Sequence, residues 1–280
     1  MVYFISLSIL ITEIAQKDFR APRGTFHVHV LCIDGNTIMQ FTKHSARTAF
    51  SEDCQMGALF SPLTLESDDL HRLSEVVQKL APLHKNQPVF HSGDTFTSIY
   101  AIRSGAIKSF CVSDDGTEQV TGFYLPGEIF GWDGIADNRH KNTALALGTT
   151  SICEIPFTKF EELSVTMPAL QKHFMQLMAR EISSDQRLIT LLGKNSAKER
   201  IASLLLSLSD RLGRRRLSPT RFRLPMSRAD IGNYLGLTVE TVSRVFSRFQ
   251  AIGLIKCDNK EIEILNLAGL SSLVQAHTEA

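Results

Sequence analysis

The sequence predicts an α+β protein in which a β-roll of the jelly-roll type, a long helix and a C-terminal winged helix-turn-helix follow one another. Three patterns carry this prediction. Short strand-like runs alternate with evenly spaced glycines in residues 87–130, one helical pattern runs from Pro168 to Leu192, and two short helical patterns flank Gly236. A chain of 280 residues with 43% hydrophobic content has room for two domains, each with its own core.

The N-terminal segment differs from the rest of the chain. Met1 to Ile11 is apolar apart from two serines, but this run is too short to cross a bilayer and lacks the basic segment and cleavage site of a signal peptide. We expect residues 1–50 to form a poorly ordered extension. The alternative is that translation starts at Met39, so that the residues before it are not part of the protein. We expect no membrane contact.

The β-roll is predicted from glycine spacing. Gly93, Gly105, Gly116 and Gly127 recur at intervals of twelve, eleven and eleven residues, as turns between short strands do. An amphipathic helix at residues 65–80 precedes the strands. The strand-like runs are Val89–Phe90, Ser98–Ile102, Ala106–Val112, Gln119–Val120, Gly122–Tyr124, Thr143–Leu147 and Ser151–Ile155.

The long helical pattern carries a heptad seam with spacings of 3, 4, 3, 4 and 3. Such a seam predicts a partner helix, and we expect a homodimer. The seam includes the carboxylate of Asp185, which is costly when the same residue of the partner helix faces it across a two-fold axis. Asp185 either lies off the axis in water or keeps dimerisation weak and switchable. The seam residues are Met175, Met178, Ile182, Asp185, Ile189 and Leu192.

The segment after Gly236 has two faces at helical spacing. Its apolar stripe is Val242, Val245, Phe246 and Phe249. The opposite face carries arginines, hydroxyls and one carboxylate, which suit guanine, phosphates and the cytosine amine in the major groove of DNA. The polar residues are Glu240, Thr241, Ser243, Arg244, Ser247 and Arg248.

The neighbouring residues complete a winged helix-turn-helix. Ser227 and Asp230 form a variant of the capping box, Gly236 turns the chain, and Thr238 caps the second helix. Two short strands at 254–257 and 261–265 follow as a hairpin. An ordinary surface helix with a charged face is the alternative, but the agreement of caps, turn and hairpin disfavours it.

Charge is unevenly distributed. The whole chain has a net charge of +1, whereas residues 194–260 contain fourteen basic and five acidic residues, a net charge of +9. A basic C-terminal domain on a body that is not basic is typical of a DNA-binding module. The run Arg214–Arg216 by itself indicates only a solvated loop.

With barrel, dimer helix and winged helix in this order, the chain resembles the Crp/Fnr superfamily, and within it the oxygen- and redox-responsive Fnr branch. The resemblance runs from about Asp53 to about Leu265. It rests on the motifs SIYAIRSG (98–105), LPGE (125–128), CEIPF (153–157) and DIGNYLGLTVET (230–241).

The resemblance implies roles for particular residues. Glu240, Ser243 and Arg244 match the residues that read an inverted repeat resembling TTGAT…ATCAA, and Thr238, Thr241 and Arg248 are expected beside them on double-stranded DNA. It also implies a cytoplasmic homodimer that contacts RNA polymerase and activates genes for low-oxygen or redox-linked metabolism. The expected domains are the extension at 1–50, a cyclic-nucleotide-binding-like sensor β-roll at 51–167, the dimerisation helix at 168–194 and the DNA-binding domain at 195–280.

The cysteines depart from the Fnr pattern. Oxygen-sensing relatives hold a [4Fe–4S] cluster with three closely spaced N-terminal cysteines and one barrel cysteine. Cys153 matches the barrel cysteine, but Cys54 is alone between Ser51 and Phe60, where the others would stand. Because such a site needs four ligands, we expect no standard cluster and no metal site. Cys54 and Cys153 are either a redox pair or buried, inert thiols.

Cyclic AMP is also not expected. The turn that holds a nucleotide is Gly131-Trp132-Asp133-Gly134 here, and Asn142-Thr143 replaces the Arg-Ser step that binds its phosphate. A regulator that senses haem or another small ligand is the alternative, although a single loop histidine such as His140 is more often solvent-exposed. No nucleophile elbow, P-loop or dinucleotide motif is present, so we expect no catalytic residues and no enzyme.

Overall fold

The computed structural model describes residues 20–21, 24–25, 27–33, 36–42, 67–215 and 217–275. The chain divides into two compact units, Met1–Cys54 and Gln55–Ala280. In the first unit, β1 (Arg20–Ala21) pairs with β2 (Gly24–Thr25), and β3 (His27–Ile33) pairs with β4 (Asn36–Thr42), both antiparallel. The expected poor order of residues 1–50 stays a prediction, because residues 1–19, 22–23, 26, 34–35 and 43–50 lie outside the described residues, as does Cys54.

The second unit begins with a β-roll of two four-stranded antiparallel sheets, in the orders β10-β7-β12-β5 and β6-β11-β8-β9. The predicted jelly-roll class is therefore confirmed. Its strands are β5 (Gln78–Lys79), β6 (Pro88–Phe90), β7 (Ser98–Ser104), β8 (Ile107–Val112), β9 (Glu118–Tyr124), β10 (Ile129–Phe130), β11 (Thr143–Ala146) and β12 (Ser151–Pro156).

The four evenly spaced glycines are turn residues, as predicted, with φ between 82° and 90°. At Gly105 a Cβ atom would lie 2.4 Å from Thr150 Oγ1 and 2.5 Å from the Thr149 carbonyl oxygen, so this turn has no space for a side chain. The predicted division of residues 119–124 into two strands is wrong. They form the single strand β9, which accommodates Thr121 as a bulge opposite Ser109 and Phe110.

Helices surround and follow the roll. They are α1 (Ser67–Val76), α2 (Phe157–Thr166), α3 (Pro168–Lys194), α4 (Ala197–Arg214), α5 (Arg228–Leu235), α6 (Val239–Ala251) and α7 (Leu267–Gln275). The first helix ends earlier than predicted, because Gln78 and Lys79 pair as a strand with Glu154 and Cys153. No described helix is long and apolar enough to cross a membrane.

The long helix α3 begins with Pro168 at its first turn, where the missing N–H has no helical partner to lose. Three large apolar side chains of the predicted seam are exposed on it: Met175 is 61%, Ile182 55% and Ile189 69% accessible. The seam therefore faces away from the core of its own chain.

One buried cluster joins the β-roll to the C-terminal helices. The roll contributes Ala106, Phe110, Val120, Phe123 and Leu125. The C-terminal part contributes apolar side chains from α4, α5, α6, the wing and α7. A continuous apolar interface of this kind leaves little freedom for the two parts to move as independent bodies.

Candidate DNA-binding surface

The first helix of the predicted helix-turn-helix, α5, begins at a reciprocal capping box. Asp230 N–H donates to Ser227 Oγ over 3.0 Å, and Ser227 N–H donates to Asp230 Oδ2 over 2.9 Å. Each contact satisfies a backbone donor that the first helical turn leaves unpaired. The predicted N-terminus of this helix is confirmed.

The turn between α5 and α6 depends on two glycines. Gly236 ends α5 in the left-handed region, with φ of 62°. Gly232 is buried, and a Cβ there would lie 2.5 Å from the Leu237 carbonyl oxygen. Backbone of the turn before the second helix therefore approaches α5 so closely that only the hydrogen atom of a glycine fits at position 232.

The second helix, α6, begins where the sequence predicts it. Thr238 Oγ1 accepts a hydrogen bond from Thr241 N–H at 3.2 Å. The apolar stripe is buried, with Val242 and Phe249 fully inaccessible and Val245 and Phe246 nearly so. Burying this stripe orients the opposite face of α6 towards solvent.

The exposed face of α6 carries most of the side chains predicted to contact DNA. Glu240, Ser243, Arg244 and Arg248 are exposed, as is Thr238 at the N-terminus, whereas Thr241 is half-buried. The pKa of the Glu240 carboxyl lies below its usual value, because its own backbone N–H and the Thr238 side chain hydrogen-bond to it. It is therefore ionised at neutral pH and ready to accept hydrogen bonds.

Arg228 ties the start of α5 to the middle of α6. Its guanidinium lies 3.5 Å from the centroid of the Phe246 ring and donates to Cys257 Sγ at 3.1 Å. A cation over an aromatic face is attracted by the ring quadrupole. Sequence reasoning missed this contact, because the three residues are far apart along the chain.

The wing is larger than predicted. The hairpin of β14 (Ile255–Asp258) and β15 (Glu261–Ile264) is present, with Asn259 at φ of 52° in its turn. A third strand, β13 (Arg221–Arg223), pairs with β15. The three residues Arg-Phe-Arg are too few for the sequence alone to predict a strand. They adopt strand structure because they pair with β15.

Several basic residues in the C-terminal segment hold the fold together and do not face solvent. Arg200 donates to three backbone carbonyls: Leu192 at the end of α3, Asn195 in the α3–α4 link, and Leu235 at the end of α5. Lys260 donates to the Pro225 carbonyl. The charge of +9 therefore overstates the charge available to DNA.

The interpretation of Arg214–Arg216 as a solvated loop is wrong for Arg215. Its guanidinium pairs with Glu128 of the roll at 3.0 Å, and the side chain is only 20% exposed. Arg214 does end α4 in solvent, where it pairs with Asp210 one turn earlier. Arg216 lies outside the described residues.

Comparison with known proteins bears on this surface directly. A family model described as a Crp-like helix-turn-helix domain matches residues 199–273, and one described as a cyclic nucleotide-binding domain matches residues 81–166. The transcriptional activator protein FnrA of Stutzerimonas stutzeri is 48% identical over 234 residues, which are 84% of this chain and 96% of FnrA.

Two further relatives agree. The transcriptional activator protein Anr of Pseudomonas aeruginosa is 48% identical over 231 residues, 82% of this chain and 95% of Anr. The structure of FixK2 from Bradyrhizobium japonicum superposes with a TM-score of 0.65 at 29% identity, covering 71% of this chain and 97% of FixK2.

The chain belongs to the Fnr branch of the Crp/Fnr superfamily. It is a DNA-binding transcriptional regulator and not an enzyme. Helices α5 and α6, described above, lie within the segment that matches the Crp-like helix-turn-helix domain.

The three described cysteines in the second unit of this Fnr-branch regulator lie on different elements. Cys153 is fully buried on β12, Cys111 lies on β8 in the other sheet of the roll, and Cys257 lies in the wing. No group of three or more possible metal ligands occurs among the described residues. A [4Fe–4S] cluster needs four ligands. Residues 51–62 supply one cysteine, so this donor set does not fit the cluster.

The two segments of this regulator that correspond to a nucleotide site bind each other. Asp133 Oδ2 accepts from the backbone N–H groups of Lys141 and Asn142 at 2.8 and 2.9 Å. Asp133 Oδ1 lies 3.0 Å from His140 Nδ1. Burial alone would raise the pKa of Asp133, but His140 and these N–H groups lower it.

The expectation that His140 is solvent-exposed is wrong. The residue is only 3% accessible, and its ring stacks on Phe90 with centroids 3.6 Å apart. Its Nδ1 is engaged by Asp133, so the imidazole is a packed and hydrogen-bonded part of the roll. Sequence reasoning failed here because the stacking partner is fifty residues away.

Proposed function

We propose that the protein is a homodimeric activator that reads a palindrome resembling TTGAT…ATCAA with two copies of α6. In this proposal Arg244 bonds guanine, Glu240 accepts from a cytosine amine, and Ser243 contacts a base or a phosphate. The dimer acts in the cytoplasm, contacts RNA polymerase and controls genes for low-oxygen metabolism. The similar proteins FnrA and Anr, both named transcriptional activators, support the activating role.

The observation that carries this proposal is the two-faced helix α6. Its apolar stripe is buried, and Glu240, Ser243 and Arg244 project from the exposed face one turn or less apart. An α-helix of this width fits the major groove, which is the only groove where all four base pairs differ. Thr238 and Thr241 lie at the N-terminus of α6, where helix N–H groups favour phosphate.

The exposed seam of α3 supports the dimer. Met175, Ile182 and Ile189 are large apolar side chains at heptad spacing, and each is more than half accessible in the single chain. Scattered exposed apolar residues are ordinary, but a row at this spacing is typical of a helix that packs against a copy of itself. A two-fold axis along α3 would present two α6 helices to successive grooves.

The test is Arg244→Ala. We expect the substitution to weaken binding to the palindrome by about 1–3 kcal/mol and to change binding to scrambled DNA little, because a bidentate contact to guanine is specific to one base. Fluorescence anisotropy titrations at one fixed salt concentration measure both affinities.

The matched control is Arg180→Ala, which removes the same charge from an exposed position of α3 outside the seam. It should leave the ratio of specific to non-specific affinity unchanged. Equal losses on palindromic and scrambled DNA for Arg244→Ala would contradict the proposed role.

A further inference from the structure

An asparagine of the DNA-binding domain pairs with the outer edge of the β-roll. Strand β9 is the last strand of its sheet, so its outward backbone groups have no strand partner. Asn233 of α5 takes that place: its Oδ1 accepts from Val120 N–H at 2.6 Å, and its Nδ2 donates to the Glu118 carbonyl at 2.7 Å. The side-chain amide thus pairs with β9 as a neighbouring strand would.

Contacts on either side extend this junction. The Gln119 side chain donates back to the Asn233 carbonyl at 2.9 Å. Phe123 and Tyr234 meet edge to face with centroids 5.1 Å apart. The junction therefore presents one face of α5 to the strand.

A buried ion pair reaches the same helix from β8. Lys108 Nζ lies 2.9 Å from Asp230 Oδ1, with both side chains less than 20% exposed. Asp230 is also the residue that caps α5 through Ser227. The contact from the roll is thus made at the start of the helix, and the asparagine contact one turn further on.

The junction does not cover the face of α6 that is proposed to contact DNA. Its contacts are made by α5, while the polar face of α6 stays exposed. The junction does constrain the orientation of α5 relative to β9, because a bidentate amide contact tolerates little rotation or sliding. Two half-sites one helical turn apart, about 34 Å, require their reading helices at a matching separation and angle.

We propose that Asn233 is a positioning residue, which sets the orientation of α6 relative to the β-roll and so selects the spacing between half-sites. The inference rests on the proposed function for its dimer and palindrome. In this arrangement, a conformational change of the roll that moves β9 is transmitted to α5 through Asn233. Because α5 packs on α6, the change also rotates α6.

The test uses Asn233→Ala in the full chain. First, hydrogen exchange measured by mass spectrometry should show faster exchange in a peptide covering residues 118–124, because Val120 N–H loses its acceptor. Second, affinity for the palindrome with its natural spacing should fall about tenfold, while affinity for palindromes one base pair longer or shorter should fall less than threefold. Affinity for a single half-site should stay the same.

The matched control is Gln176→Ala, which removes an amide from an exposed position of α3 off the seam; it should change none of these values. If Asn233→Ala does not fold, Asn233→Asp keeps the acceptor for Val120 and removes the donor to Glu118. We then expect exchange and spacing preference to shift in the same directions by smaller factors.

Unchanged exchange in residues 118–124, or an equal loss on every site including the single half-site, would overturn the proposal. A failure of the proposed palindrome is distinguishable, because the wild type itself would then show no spacing preference while the exchange result remained.

Discussion

Glu128 is the side chain that joins the LPGE turn of the roll to α4. Its carboxylate accepts hydrogen bonds from Arg211 Nε at 2.8 Å and from Leu125 N–H at 2.8 Å, and it pairs with Arg215 at 3.0 Å. Burial alone would raise the pKa of Glu128, but the two arginines and the N–H group lower it. The cluster adds a charged contact beside the apolar part of the interface between the roll and the C-terminal helices.

Replacing this carboxylate should cost stability in a pH-dependent way. The folded-state pKa of Glu128 lies below the unfolded value of about 4.3. Its contribution is therefore complete above that value and is lost as the pH falls through the folded-state pKa. We expect Glu128→Gln to lower the free energy of unfolding by about 3 kcal/mol at pH 7, because it leaves buried arginines without a counter-charge.

Urea titrations at pH 7 and at descending pH below 4.5 measure this effect. The difference between wild type and Glu128→Gln should shrink as the pH falls, because the wild type loses what the variant never had. Glu161→Gln, at an exposed carboxylate on α2, is the control and should be close to neutral. A constant difference over the whole pH range would contradict this account of Glu128.

At the scale of elements, the helix-turn-helix depends on a tight turn between α5 and α6. The turn folds back onto Gly232 of α5, since a side chain there would overlap the Leu237 carbonyl. Leu237 N–H in turn donates to the Gly232 carbonyl at 2.8 Å. The path of the chain into α6 thus depends on backbone contacts at Gly232.

Adding one methyl group at Gly232 should disturb both folding and DNA binding. We expect Gly232→Ala to destabilise the protein by about 1–3 kcal/mol, because the overlap with the Leu237 carbonyl forces the turn that leads into α6 to shift. Gly213→Ala on α4 is the matched control: its Cβ would meet only Pro219 Cβ at 3.5 Å, so it should be neutral or slightly stabilising.

Thermal unfolding and palindrome titrations measure both variants. Loss of specific affinity for Gly232→Ala beyond that of the control is the expected result. A Gly232→Ala variant as stable and as specific as the wild type would show that the close approach of the turn to Gly232 is not required.

Local signals in the sequence were sufficient for much of this architecture. The caps at Ser227 and Thr238, the left-handed Gly236 and the heptad run in α3 all depend on residues within one or two turns of each other. Pairings across the fold were not predictable in this way. Strand β13, the Asn233 contact to β9 and the burial of His140 each depend on a partner that lies forty or more residues away.

The distribution of charge was also only partly predictable. The count of basic residues located the basic region correctly in the C-terminal domain. It could not distinguish an arginine exposed to solvent from one bonded within the fold. Arg200 and Arg211 have their guanidinium groups bonded within the fold, whereas Arg244 and Arg248 are exposed on α6. Only a three-dimensional arrangement separates the two sets.

At the scale of the whole molecule, the proposed binding to a palindrome requires two copies of the chain. Arg200 links the end of α3 to the end of α5, so the seam and the reading unit are connected by direct contacts. Asp185 lies on the same helix between Ile182 and Ile189, and burial raises the pKa of its carboxyl. The relatives support a regulator that acts as a dimer, whereas the position of Asp185 in or beside the dimer seam stays a prediction.

Whether two α6 helices read DNA together can be measured in one anisotropy titration series with the wild-type protein at fixed salt. The series uses DNA with both half-sites intact and DNA with one half-site scrambled. If two α6 helices bind together, scrambling one half should weaken binding by about 100-fold or more, because several base contacts are lost at once. Equal affinity for the two DNAs would contradict the account, since it would mean that a single reading helix is sufficient.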